Sequence, residues 1–174
     1  MKKIVLLLFI IFVVPTLSFA VDSLKIGSVD LQKVVYESEA GKKAKSDIDA
    51  LVKSKQSILD KKRKPIEKLR SELEKQGSAL SPEARKKKQE ELEKMEREYL
   101  RTAQDSDAEI RKKDTELRDM ILKEVIELIN KIGKEKGYTL IVERGAILYV
   151  DKTIDITDTI IKSYNKSKTK RKKK

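Results

Sequence analysis

Gly77-Ser78-Ala79-Leu80-Ser81-Pro82-Glu83 decides how this chain folds. Highly charged runs, rich in Lys, Glu, Arg, Gln and Ala, lie on both sides of it, from Gly41 to Ile132. Ser81 is a good N-cap, because its hydroxyl can accept a hydrogen bond from a free backbone N–H at a helix start. Pro82 at the first helical position gives up a donor that has no intrahelical acceptor. Glu83 sets negative charge against the positive helix end. One helix therefore stops before Gly77 and another starts at Pro82. The pattern predicts a helical hairpin, an arm that leaves a small body and returns to it, with its tip at 77–82.

Backwards from the tip, the outgoing helix starts near Glu39. Ile48, Val52, Lys55, Leu59, Lys62, Ile66, Leu69, Leu73, Gln76 and Leu80 recur at alternating steps of four and three. That is the 3.5-residue period of a coiled-coil seam. Lys55, Lys62 and Gln76 weaken it, since each puts a solvated or snorkelling side chain where an apolar one would be buried. Pro65 removes one backbone hydrogen bond and crowds the preceding turn, which predicts a kink near Lys64 with the arm continuing beyond it. Lys42 to Gln76 corresponds to roughly 50 Å of helix at 1.5 Å per residue.

Forwards from the tip, Leu92, Met95, Tyr99, Ala103, Ser106, Ile110, Leu117, Ile121 and Leu128 mark the returning helix. Its middle is thin in large apolar residues. From Met120 the apolar residues cover more than one face, and a helix apolar over so wide an arc must be buried. This root belongs to the body. Gly133 and Gly137 are the expected helix stop.

The flanks read as the body. Leu24 to Asp30 is a strand by its small and β-branched content, and Asp30 caps a short helix from Leu31 to Tyr36. An acid-catalyst role for Asp30 has no partner group near it in sequence. Tyr138 to Glu143 and Ala146 to Asp151 read as two strands turning at Gly145, hence a hairpin. Asp155-Ile156-Thr157-Asp158 then opens an amphipathic helix carrying Ile160, Ile161 and Tyr164. The fold class is α+β: a small β-rich body from 21–41 and 120–165, and an antiparallel coiled-coil arm over 42–119. So small a body, without a cysteine in the chain, can hardly bury enough surface alone. Oligomerisation through the strands would supply the missing burial and cover their edges.

At the N-terminus, Met1-Lys2-Lys3 precedes an apolar run from Ile4 to Val14, then Pro15 and Ser18-Phe19-Ala20. This is the order of parts of a secretory signal peptide cleaved after Ala20, and the run is short of the roughly 20 residues a membrane-spanning helix needs. The expected location is the periplasm. Of the formal charge of +12, Lys2 and Lys3 carry two, and the stretch from Lys162 onward holds eight Lys/Arg and no acid. Residues 21–161 are then nearly neutral, and 166–174 is expected to be a disordered basic tail. A second basic concentration lies near the tip, at Lys61-Lys62-Arg63-Lys64 and Arg85-Lys86-Lys87-Lys88. The two clusters are expected to face each other across the hairpin, a repulsion with no benefit for folding. The functional reading is long-range attraction to acidic partners, anionic lipid or lipopolysaccharide; the plain one is a solvated face. Ile66, Leu69, Leu73, Leu92, Met95 and Tyr99 supply scattered apolar contacts beside these clusters.

Histidine and cysteine are absent, and there is no Gly-rich phosphate loop or paired-carboxylate motif. Catalysis is not expected, nor is a cofactor or metal. Nucleic acid is a rival partner on charge alone, but aromatic stacking residues are scarce and export removes the chain from DNA. A basic coiled-coil spacer or polyanion binder of the envelope is the alternative reading.

Lys25-Ile26-Gly27-Ser28-Val29-Asp30-Leu31-Gln32-Lys33-Val34, followed by Glu37-Ser38-Glu39-Ala40-Gly41-Lys42-Lys43-Ala44, resembles the OmpH/Skp family of periplasmic chaperones. So do Gly137-Tyr138-Thr139-Leu140-Ile141-Val142, Gly145-Ala146-Ile147-Leu148-Tyr149 and Asp155-Ile156-Thr157-Asp158. The resemblance runs in order through 24–165; the arm matches it only in character. It implies a homotrimer whose strands share a β-barrel and whose three arms enclose a cavity. It implies an ATP-independent holdase that keeps unfolded outer-membrane β-barrel proteins from aggregating. The basic tail and Pro65 depart from the family pattern.

Overall fold

The computed structural model describes residues 24–76 and 78–171. The proposed signal peptide and its cleavage at Ala20 lie outside the described residues. Six regular elements follow in order: β1 (Ile26–Val29), α1 (Leu31–Glu37), α2 (Glu39–Gln76), α3 (Pro82–Lys136), β2 (Leu140–Glu143) and α4 (Thr157–Arg171). The chain is mostly helical with a two-stranded sheet, an α+β arrangement.

The caps form where the sequence places them. Asp30 accepts from the Lys33 N–H at 2.7 Å and starts α1. Ser81 accepts from the Ala84 N–H at 3.2 Å and starts α3, with Pro82 first in the helix. Between α1 and α2 the chain turns so tightly that a Cβ on Gly41 would stand 1.7 Å from the Val35 carbonyl oxygen. Only glycine fits there. α2 runs unbroken through the exposed Pro65 to Gln76, so the missing ladder bond does not end the helix. α3 also passes through Gly133, which is not the stop. The stop is Gly137 alone, in the left-handed conformation with φ 67°. There the Tyr138 N–H donates back to the Gly133 carbonyl at 2.9 Å and closes the helix end.

The hairpin expected over 138–151 does not form. β2 pairs instead with β1, in parallel, with Ile26 opposite Leu140 and Val29 opposite Glu143. Asp155 bridges Ser28, also in parallel, and the Ile156 N–H donates to the Ser28 carbonyl at 2.8 Å. Ser28 already faces Val142 of β2, so Asp155 must take the opposite edge of β1. Residues 144–154 therefore carry the chain from one edge of β1 to the other. They do so through 3₁₀ turns at Arg144–Ala146 and Lys152–Ile154. The residues between these turns belong to no strand, and Leu148 and Tyr149 face solvent.

One core forms where the elements meet. It contains Val29, Val34, Ile121, Val125, Ile132, Ile156, Ile160 and Tyr164. Val34, Val125 and Ile160 are fully enclosed. The burial of Ile121, Val125 and Ile132 agrees with an apolar root of α3 beginning near Met120. Met120 and Ile126 themselves remain exposed, so this chain covers only part of the arc. The junction of β1, α1 and α4 is fixed by a polar chain. The Asp30 N–H donates to the Thr157 hydroxyl at 2.9 Å, which donates to the Asp155 carboxylate at 2.5 Å. Arg144 reaches the other carboxylate oxygen at 2.7 Å. Burial pushes the Asp155 carboxyl up, but the Thr157 hydroxyl and N–H, helped by Arg144 and Lys33, hold it below the usual range.

Candidate functional site

The arm presents most of the chain's exposed charge, and its register is set by ion pairs between the two helices. Lys55 meets Glu109 at 2.5 Å, Lys62 meets Glu98 at 3.9 Å, Arg70 meets Glu96 at 2.5 Å and Lys88 meets Glu72 at 2.9 Å. Partner numbers fall on α3 as they rise on α2, so the helices run antiparallel. Lys88 donates to Glu72 and, by that hydrogen bond first and its charge second, holds the Glu72 carboxyl below the usual range. Of the apolar seam positions, Ile66 and Leu69 are buried. Leu73, Leu92, Met95 and Tyr99 are half-buried, and Val52 is exposed, as is the polar Gln76. Ser106 is the buried residue in the middle of α3; its hydroxyl donates to the Thr102 carbonyl at 2.6 Å. The shaft therefore has two well-buried apolar side chains, each contributing about 1.5–3 kcal/mol, and solvent-screened polar ties that contribute much less. The ties fix the register more than the strength.

This register corrects the expected geometry of the basic clusters. Because Lys62 lies level with Glu98, the cluster at 61–64 is displaced from Lys88 by about 15 Å along the axis at 1.5 Å per residue. The clusters do not face each other. The turn is centred near Ala79–Ser81, so 85–88 lies beside the last turns of α2, whereas 61–64 lies farther down the shaft. Half of the eight cations are engaged: Lys62 with Glu98, Arg63 with Asp60 and Glu67, Lys86 with Glu90, and Lys88 with Glu72. Lys61, Lys64, Arg85 and Lys87 are exposed and have no ion pair among the described residues. They form two separated basic patches rather than one.

The apolar residues singled out from sequence hold the hairpin together more than they face outward. The open apolar side chains of the shaft are Val52, Ile58 and Leu100, with Leu100 58% exposed. Ile58 and Leu100 fall off the 3.5-residue seam, and that offset is the signal that could have marked them. Among the described residues no cluster of His, Cys, Asp and Glu could hold a metal ion. No described helix is long and apolar enough to cross a membrane.

The comparisons with known proteins agree with this architecture. The family model described as Outer membrane protein (OmpH-like) matches residues 25–164, and the chain belongs to that family. An uncharacterized protein of Aquifex aeolicus (strain VF5) is 31% identical over 144 residues, covering 83% of this chain and 88% of that one. A crystal structure from Caulobacter crescentus CB15, of a candidate outer membrane chaperone (OmpH-like), superposes with a TM-score of 0.76 at 14% identity. It covers 82% of this chain and 85% of that one, and at that identity it speaks for the fold alone.

Proposed function

We propose that this chain is an ATP-independent holdase of the periplasm, which binds unfolded outer-membrane β-barrel proteins between its arms and keeps them from aggregating. The observation that carries the reading is the shaft: a long two-helix arm with a thin apolar seam, polar ties, exposed Ile58 and Leu100, and two basic patches. Unfolded barrel segments alternate apolar and polar residues and aggregate through exposed edges. A surface of scattered apolar and charged groups offers such chains weak contacts of both kinds without a shaped pocket. Family membership supports the same reading.

The working unit is an oligomer, on this reading a homotrimer that shares its strands. The sheet has two strands of four residues each, while Met120, Ile126, Leu140, Leu148 and Tyr149 stand exposed around the core. Neighbouring copies would cover them. Lys61, Lys64, Arg85 and Lys87 would attract acidic clients or anionic headgroups, with an attraction that salt weakens. The decisive experiment is suppression of aggregation of an unfolded outer-membrane protein, without nucleotide, by the mature chain. No suppression at a several-fold excess would leave the passive envelope spacer as the better account.

A further inference from the structure

The segment expected to begin a disordered tail is helical, because α4 continues to Arg171, and what one turn of it touches is specific. Asn165 accepts from the Glu39 N–H at 3.0 Å through its side-chain oxygen. That N–H is the first of α2 and has no acceptor within its own helix, so Asn165 caps α2 from another element. One residue earlier, the Tyr164 hydroxyl donates to Glu124 of α3 at 2.5 Å. Lys168, one turn later, bonds the same Glu124 carboxylate and stands over the Tyr164 ring, 5.4 Å from its centre. A single turn of α4 thus ties both helices of the arm at their roots. Beyond it the packing opens. A cleft of about 510 Å³ separates Lys168 and Thr169 from Ala40, Ala44, Leu117 and Met120. The Tyr164 ring itself belongs to the core; beyond it, the contact is made by the polar bonds of Asn165 and Lys168 over a poorly filled space.

We propose that the polar bonds of the Tyr164 hydroxyl, Asn165 and Lys168 form a releasable clasp that fixes how the arm stands on the core, while the Tyr164 ring stays in the core. Closed, it holds the first turn of α2 and the Glu124 level of α3 to one rigid element. Open, it leaves the arm connected through the tight turn at Gly41 and the core contacts of Ile121 and Val125, and free to swing. The opposite face of α4, with exposed Lys162 and Lys166, takes no part in it.

The test uses the full mature chain, whose lack of cysteine lets spin labels be placed through E91C on the shaft and K152C near the core. Labelled chains are diluted into unlabelled ones so that only distances within a chain are read. The combined variant Y164F/N165A/K168A is expected to broaden the distance distribution at least about twofold and to speed amide exchange of the first turn of α2. K162A/K166A is expected to change neither. A distribution of unchanged width in the clasp variant overturns the proposal, as does equal broadening in K162A/K166A, which would assign the effect to tail charge. If the combined variant loses cooperative unfolding, K168A alone decides: measurable broadening supports the clasp, and none refutes it.

Discussion

Below Met120 the helices α2 and α3 are held by a core, and above it the same two helices are held by little more than each other. Around the core, eight apolar side chains, from β1, α1, α3, α4 and the residue just before α4, enclose one another, and loss of any one leaves a cavity that its neighbours cannot fill. In the shaft each residue answers to one partner helix, and Lys55, Lys62 and Gln76 stand where apolar residues would bind more tightly. The difference teaches where motion is cheap. Opening the core costs its whole cooperative unit, whereas opening the shaft costs a few local contacts.

The largest expected effect tests the core. Ile160→Ala removes a fully enclosed side chain and should destabilise the chain by about 2–5 kcal/mol, read as a loss of denaturation midpoint at fixed protein concentration. Ile66→Ala in the shaft should cost about 2 kcal/mol, at the low end of such changes because one side of the site is near solvent. Its effect should be local, with faster amide exchange over 59–73 and 92–103 and little change in the core. Equal loss of core protection would make arm and core a single cooperative unit and end the distinction.

Acid should reach the two regions through different carboxylates. Asp155 at the core junction and Glu72 in the shaft both titrate below their ordinary values. A depressed carboxyl contributes its full stabilisation above the unfolded pKa and loses it as pH falls through the folded one. Stability should therefore decline with acid below the ordinary carboxylate range, and Asp155→Asn should be less stable near neutrality and show a flatter acid limb. An acid limb identical to that of the parent chain would remove Asp155 from the account. Smallest of all, Lys55→Ala should cost the shaft about 0.2–1 kcal/mol, a cost that shrinks in high salt.

Much of the arm could be read directly, because its signals are local. Ser81 and Pro82 announce a helix start within four residues, and the spacing from Ile48 to Leu73 reports one face of one helix. The basic clusters show the limit of such reading. Lys61-Lys62-Arg63-Lys64 and Arg85-Lys86-Lys87-Lys88 are conspicuous in sequence, but whether they meet depends on where the turn is centred and which residues come level. The apolar contacts were legible as seam residues; that Ile66 and Leu69 are buried and Leu100 is not depended on the partner helix.

By itself, then, the sequence determined the caps, the long helices, the apolar root and two of the three expected strands, β1 and β2, since each follows from bonds and spacings within a few residues. Only the tertiary structure decided that β2 joins β1 in parallel instead of turning back on 146–151. A strand's β-branched content says that it will pair, not with which edge. The tertiary structure likewise turned the start of a tail of lysines into a docked helix. No composition rule foresees that Asn165 finds the free N–H of Glu39, or that Lys168 and Tyr164 share Glu124, because those groups stand far apart along the chain and meet only once the core has formed.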